Sequence, residues 1–397
     1  MTLSYAVDGF VDDSPAVRAA DEIFEAAIKN RASDVHLEPW CGAGRVRERV
    51  DGMLRESRRI SEPLFAQILS RIKLLAGMDI TDRRLPQDGR YTIERGGRTF
   101  DVRVSSIPTI EGERLAMRLL EARAQIPTLE ALGMPPGIVA RFRRMCAAPA
   151  GFVIVCGPTG SGKTTTLYAA LAQRNERAQH LCSVEDPVEA CIPGLAQVQV
   201  NVRAGLDFPS VLRAFLRQDP NAIMIGEMRD AETASVGVGA ALSGQAVFTT
   251  LHSNDALGAV ERLLELGISA RSVANAVTGI VAQRLVRQLC PDCKEATAAG
   301  PDAGWIGIDA AAIVANARGC ERCLGTGYWG RSGVFELVEF GAQMRVAVDA
   351  RALPAARRKI ALAAGYEPML ANARQLVLRG ETSIEEVVRV LDGVHGP

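Results

Sequence analysis

Residues 157–164 read Gly-Pro-Thr-Gly-Ser-Gly-Lys-Thr and follow the apolar run Phe152-Val153-Ile154-Val155-Cys156. No other segment constrains the fold as tightly. A glycine-rich turn between a buried strand and a helix opening at Thr164-Thr165-Thr166-Leu167 is the setting of a phosphate-binding loop. Glycines at 157, 160 and 162 let the backbone wrap a phosphate closely and turn its N–H groups inward. Lys163 supplies a point charge for the outer phosphates, and the Thr164 hydroxyl is placed to bind Mg²⁺. The helix N-terminus behind them adds a favourable field for an anion. The expected contacts of a nucleoside triphosphate are therefore Gly157, Pro158, Thr159, Gly160, Ser161, Gly162, Lys163, Thr164 and Thr165.

The rest of the chain is organised around that loop. Strands at 152–156, 181–184, 197–200, 222–226 and 246–251 alternate with helices, which predicts a mostly parallel, helix-flanked sheet over 134–285. Upstream, apolar residues at helical spacing predict an amphipathic helix over 14–36, and Ser33 to Pro39 leaves it as a strand. A hairpin turning at Asp51-Gly52, a helix over roughly 61–77, and strands at 90–95 and 98–104 joined by Gly96-Gly97 complete a small α/β domain over 1–120. A polar connector covers 121–133. Paired cysteines mark a segment at 286–333, and a helical region at 334–397 closes the chain. Its last helix opens with the capping-box pattern Thr382-Ser383-Ile384-Glu385.

Bulk properties exclude some functions. The 397 residues are long for one core, so two or three domains are expected. Lys plus Arg and Asp plus Glu balance at 46 each, which argues against a dedicated nucleic-acid binder. Met1 to Asp13 has neither a basic start nor an apolar core of a secretory signal, and no run of about twenty apolar residues occurs. A cytoplasmic protein is expected, on a membrane only through partners. Cys41, Cys146, Cys156, Cys182 and Cys191 read as reduced core thiols.

Three strand ends carry further candidate chemistry. In Ala222-Ile223-Met224-Ile225-Gly226-Glu227-Met228-Arg229-Asp230, a buried strand ends in a carboxylate that could orient Mg²⁺ and an attacking water. Glu227 is the candidate for activating that water; the alternative is a cap for the helix near Ala231. Ser183-Val184-Glu185-Asp186-Pro187-Val188-Glu189 leaves another strand where parallel sheets bind ligands, although strand-end acids also cap helices. Thr250 and His252 end a third strand, where a sensor for the γ-phosphate could sit or where the histidine could be structural.

Taken in order, these segments resemble the secretion ATPase superfamily, specifically the type II secretion and type IV pilus assembly ATPases. The similarity runs through Ala32-Ser33-Asp34-Val35-His36-Leu37-Glu38-Pro39, Arg84-Leu85-Pro86-Gln87-Asp88-Gly89-Arg90 and the phosphate loop. It continues through an acidic box at 184–189, Leu216-Arg217-Gln218-Asp219-Pro220, a histidine box at 250–255 and Gln283-Arg284-Leu285-Val286-Arg287. Only residues 1–13 lie outside it. The resemblance implies a RecA-like ATPase domain with a PAS-like N-terminal domain, in a homo-hexamer that hydrolyses ATP with Mg²⁺. It implies as partners an inner-membrane platform protein and a membrane-anchored adaptor, and no nucleic acid. It further implies catalytic roles for Glu227, Glu185 and His252, and for Arg90 and Arg103 as arginines that reach the nucleotide from the smaller domain. Arg118 is a weaker candidate whose alternative is a solvated strand face. The physical reason is that phosphoryl transfer develops charge that a guanidinium stabilises.

Three departures stand out. Ser243-Gly244-Gln245 lacks the first histidine of the family's box, so its polar role passes to Gln245 or is dispensable; Met228 replaces a branched aliphatic. The chain also begins almost at the domain that in type II secretion ATPases follows an additional docking domain, which implies docking by another route, a divergent system or a shortened form.

Cys290-Pro291-Asp292-Cys293 and Cys320-Glu321-Arg322-Cys323 form two chelating pairs suited to tetrahedral Zn²⁺ with no open position, hence a structural role. The alternatives are a redox dithiol or a lost site. Residues 294–319 between the pairs, with Gly300-Pro301, Gly304 and many alanines, have little core of their own. Pilus-retraction and conjugation-type ATPases typically lack such a site, so the resemblance favours the secretion and assembly branch. The competing functions are a nucleic-acid motor with a zinc ribbon, against which neutral charge and scarce aromatics argue, and an idle scaffold, against which Lys163, Thr164 and Glu227 argue.

Overall fold

The computed structural model describes residues 14–121, 126–175 and 178–392, so residues 1–13 and residues 122–125 of the 121–133 connector lie outside the described residues. The chain divides into two compact units at residues 124 and 125.

The first unit is a six-stranded antiparallel sheet under two helices. Helix α1 (Pro15–Lys29) starts where Ser14 accepts a hydrogen bond from the Val17 amide and proline occupies the first turn. It stops at Asn30 rather than continuing to 36, because Arg31 takes a φ of 60° that no helix allows. Ala20, Ile23, Phe24 and Ala27 face the sheet. Strands β1 (Ala32–Trp40), β2 (Ala43–Val50) and β3 (Met53–Ser61), helix α2 (Glu62–Leu75), and strands β4 (Gln87–Arg95), β5 (Arg98–Thr109) and β6 (Gly112–Glu121) follow. The sheet order is β3-β2-β1-β6-β5-β4. Val102, Val104, Met117 and Leu119 pack under the helices. The alternate residues Arg90, Arg103 and Arg118 are direct neighbours across β4, β5 and β6, so they form a row on the other face. Beneath the helices Lys73, 1 % exposed in its side chain, pairs at 2.6 Å with Glu113, 6 % exposed.

The second unit is built on a seven-stranded sheet. Its elements in order are α3 (Pro136–Ala147), β7 (Gly151–Cys156), α4 (Lys163–Arg174), β8 (Leu181–Glu185), β9 (Leu195–Gln199), α5 (Phe208–Phe215), β10 (Ala222–Ile225), α6 (Ala231–Leu242) and β11 (Ala246–Leu251). There follow α7 (Gly258–Glu265), α8 (Ala270–Ala276), β12 (Val277–Leu289), a small hairpin of β13 (Glu295–Ala298) and β14 (Ile313–Asn316), and β15 (Tyr328–Glu339). Helices α9 (Ala342–Asp349), α10 (Pro354–Ala363), α11 (Met369–Leu378) and α12 (Ile384–Leu391) end the unit. The order is β15-β12-β7-β11-β10-β8-β9, parallel except for the β12–β15 pair. Along β7, Phe152, Ile154 and Cys156 enter one core while Val153 and Val155 enter the other, as a strand covered on both faces requires.

Two long strands, β12 and β15, were not anticipated, and the segment between them carries the cysteine pairs. That segment is less bare than its composition suggests: Ala303, Ile306, Ile308 and Val314 are buried in the same cluster as Leu376, Ile384, Val387 and Leu391. The last helix is capped by Ser383, one residue later than the expected box, and Glu386 binds Arg287 instead of closing a box. Of the five scattered cysteines, Cys146, Cys156 and Cys182 are core thiols, whereas Cys41, in the β1–β2 turn, and Cys191, in the loop between β8 and β9, are exposed.

Candidate active site

The phosphate loop leaves the carboxyl end of β7 and enters α4. Gly157, Gly160 and Gly162 have φ of 152°, 78° and 84°, values a side chain would strain. A Cβ on Gly157 would lie 2.4 Å from the Gln283 carbonyl oxygen, and one on Gly162 would lie 2.9 Å from Gln283 Nε2. The loop is thus seated directly on β12. Among the described residues, the buried Ser161 Oγ finds no hydrogen-bond partner. Lys163 Nζ donates to the carbonyls of Gly157 and Pro158 at 2.9 Å each. Burial pulls its pKa below the usual lysine range, opposed by the charge of Glu227.

A cleft of about 240 Å³ opens at the carboxyl ends of the strands. Thr159, Gly160, Lys163 and Thr164 line one side; Glu185, Asp186, Glu189, Glu227, Arg229, Thr250 and His252 line the other. Glu227 is held from two directions: His252 Nε2 lies 2.8 Å from its Oε1 and an Arg229 guanidinium nitrogen 2.7 Å from its Oε2. Burial favours its neutral form, but the Arg229 hydrogen bond and charge, with help from His252, win and hold its carboxyl below the usual carboxylate range. It does not cap α6, a task done by Asp230, which accepts from the Thr233 amide at 2.8 Å.

Glu185 reaches the same cleft but is otherwise engaged. It is 2 % exposed and accepts hydrogen bonds from the Tyr168 and Ser183 hydroxyls and from Gln197 Nε2 at 3.1 Å. Gln245 is not at the site. Its carbonyl accepts from the Gly151 amide at the amino ends of β7 and β11, the opposite end of the sheet from the cleft, so a side chain at this position is remote from the phosphate loop. Arg90, Arg103 and Arg118 belong to the first unit. Arg103 Nε lies 3.5 Å from Asp101, and Arg118 Nε 3.0 Å from Asp34, 61 % exposed as a strand-face residue would be.

Sequence reasoning missed Arg229 and Tyr168. Arg229 stood two residues from Glu227 in the quoted motif and could have been found there. Tyr168 lies on α4 with no local signal, since its partners are Glu185 and the Glu189 amide.

Mg²⁺ fits the donor set: the hard oxygens of Thr164 and Asp186 line the cleft beside the phosphate loop, while both oxygens of Glu227 are engaged by His252 and Arg229. The four paired cysteines fit zinc. Their sulfurs all lie within 4.8 Å of one another, with 3.9 Å between Cys290 and Cys320, 3.8 Å between Cys293 and Cys323 and 3.7 Å between Cys320 and Cys323. Tetrahedral sulfurs about 2.3 Å from a common zinc stand about 3.8 Å apart. Cys323 Sγ also accepts from the amides of Cys320 and Gly327 at 3.1 Å, and against the effect of burial these bonds lower its pKa to about 6.

A parallel sheet with a phosphate loop at one strand end and a held glutamate facing its lysine defines a P-loop ATPase. The chain belongs to the Type II/IV secretion system protein family, whose model matches residues 10–389. It is 44 % identical over 379 residues to the type II secretion system protein HxcR of Pseudomonas aeruginosa, covering 96 % of this chain and 78 % of the relative. It is 42 % identical over 383 residues to the type II secretion system ATPase E of Vibrio cholerae, covering 96 % and 76 %. Among solved structures, its fold is similar to the Legionella pneumophila ATPase DotB (TM-score 0.68, 19 % identity, 96 % and 98 % covered). It is similar also to the pilus retraction motor PilT with bound ADP (TM-score 0.62, 24 % identity, 93 % and 95 % covered). Among the described residues no helix is long and apolar enough to cross a membrane.

Proposed function

We propose that this ATPase is the motor of a type II secretion system: a homo-hexamer, cytoplasmic and peripheral to the inner membrane, that spends ATP on pseudopilus assembly and protein export. The observation that carries the catalytic part is Glu227, held by His252 and Arg229 across the cleft from Lys163. Loop amides, Lys163 and the helix N-terminus hold the phosphates; Glu227 accepts the proton of the attacking water; His252 and Arg229 fix the carboxylate in its ionised form. Mg²⁺ would be held by the Thr164 hydroxyl and the Asp186 carboxylate and would supply neutralisation of phosphate charge. Glu185 orders the acidic loop. Arg90 and Arg103 meet a nucleotide held by an ATPase unit and stabilise charge in transfer; their alignment on one sheet face supports this reading. Cys290, Cys293, Cys320 and Cys323 would hold Zn²⁺, which would order residues 290–327 structurally. The names of the relatives described above, each of type II secretion, favour export over pilus assembly, the second reading for this family. The platform protein and the membrane-anchored adaptor are the partners this role requires.

The test is complementation. A host strain lacking the gene should recover secretion with the wild-type chain and not with Glu227→Gln. Secretion restored equally by both would refute the motor assignment. For the ring, ATP turnover per chain should rise with protein concentration; full specific activity in a monomer at high dilution would refute it.

A further inference from the structure

Glu336 lies in β15, at 0 % exposure, away from the cleft. Among the described residues, the partners of its carboxylate are all uncharged donors. Oε1 accepts from the Ala256 amide at 2.8 Å; Oε2 accepts from the Tyr366 hydroxyl and the Met369 amide, both at 2.9 Å. These donors belong to two different parts of the unit. Ala256 sits in the loop after β11 that carries His252 and Asn254. Met369 is the first residue of α11, and the cap residue Pro368 has no side-chain donor or acceptor to offer that helix, so Glu336 caps it from another element. The adjacent strand holds the same loop: an Arg284 guanidinium nitrogen donates to the carbonyl and to Oδ1 of Asn254 at 3.2 Å.

Burying a carboxylate without a cation is costly, and burial does push its pKa up. Three converging donors offset that cost only while all stay in place, so loss of any one raises the energy of the whole set. We propose that Glu336 is a positioning residue that couples the His252 loop to the C-terminal helices. The path is short: Glu227 to His252 at 2.8 Å, His252 through the loop to Ala256, Ala256 to Glu336, and Glu336 to the first turn of α11. A shift of His252 that accompanies nucleotide binding or turnover changes the grip on α11, and the grip on α11 sets where His252 presents itself to Glu227. Coupling of this kind is reciprocal. The inference rests on the proposed role of Glu227 and deepens it by naming what communicates with that residue.

Two variants of the full chain test it. Glu336→Gln keeps the shape but turns an amide toward donors. Tyr366→Phe removes one donor on the helix side and leaves the loop side untouched. Steady-state ATPase kinetics and hydrogen exchange in the first turn of α11 are measured, the latter with and without a non-hydrolysable ATP analogue and Mg²⁺. In the wild type the analogue should slow exchange at the start of α11. Glu336→Gln should abolish that difference and lower kcat about tenfold with KM for ATP within about twofold. Tyr366→Phe should lower kcat about threefold and shrink the exchange difference, and it decides alone if Glu336→Gln does not fold. Exchange at α11 that ignores nucleotide in the wild type overturns the coupling. So does unchanged kcat in folded variants whose only change is a lower Tm. Glu227→Gln assayed in parallel separates the two claims: full turnover in that variant refutes the catalytic reading, while the exchange comparison still judges the coupling.

Discussion

Replacing Glu227 with glutamine isolates the proposed chemistry from binding. The amide has the same shape, and its oxygen can accept from His252 or from Arg229, which now lie at 2.8 and 2.7 Å from separate carboxylate oxygens, but not from both. What is lost is the negative charge and the site for the water's proton. General-base catalysis contributes about 10²–10⁴-fold, which corresponds to about 2.7–5.5 kcal/mol of barrier. Thr159, Gly160, Lys163 and Thr164 in the same cleft are untouched, and removing a carboxylate relieves repulsion of the phosphates, so ATP affinity should hold or improve. Phosphate release under saturating ATP, with calorimetric titration of a non-hydrolysable analogue, measures both quantities. Lys163→Ala serves as the contrast, losing binding and turnover together. Turnover within about threefold of wild type in Glu227→Gln would show that another group handles the water, and parallel loss of ATP binding would show a structural role.

The acid limb of the kcat profile should lie below the ordinary carboxylate range, because Arg229 holds the Glu227 carboxyl down against burial; Arg229→Gln leaves burial in charge and should move that limb to higher pH. An unmoved limb assigns it to another group. Purified protein should contain one zinc per chain, and Cys293→Ser should lose it and become protease-sensitive within 294–319 while still binding ATP; four freely titratable thiols in metal-free folded protein would refute this. Lys73→Met strands Glu113 in the core of the first unit and should destabilise that unit by about 3–5 kcal/mol, with much of it recovered by adding Glu113→Gln. Thermal melts of the two variants check it, and equal Tm values for wild type and Lys73→Met would contradict the burial argument.

The phosphate loop, the parallel strands around it and the candidate residues Glu227 and His252 were legible because each is a local pattern with one physical reading. β12 and β15 were not. From Ser332 to Val338 every residue of β15 is buried, so the alternation that marks a strand is missing. β12 includes a glycine and two arginines that hydrogen-bond to Asn254 and Glu386, far off in sequence. The helix over 14–36 ran too far because Ala32 and Val35 continue its apolar spacing; a positive φ at Arg31 ends it. Arg229 was readable in its motif, whereas Tyr168 and Glu336 act through partners that only the folded chain brings near. Gln245 shows the converse, a residue singled out by comparison with a motif but folded to the far end of the sheet.

Leu289 and Tyr328 face each other as cross-strand partners at the ends of β12 and β15. The thirty-eight or so residues that separate them therefore leave the sheet and return to it at nearly one point, which makes this stretch a cassette rather than a structural trunk. Closing the gap with a tight turn would leave the hydrogen-bonded ladder from Gly279–Glu339 to Arg287–Arg331 in register. The adjustment needed lies on the outer helices, where Ile384, Val387 and Leu391 would lose their cover and call for polar replacements. The same point offers a graft position for a reporter domain, placed at the end of a strand that passes directly beneath the phosphate loop.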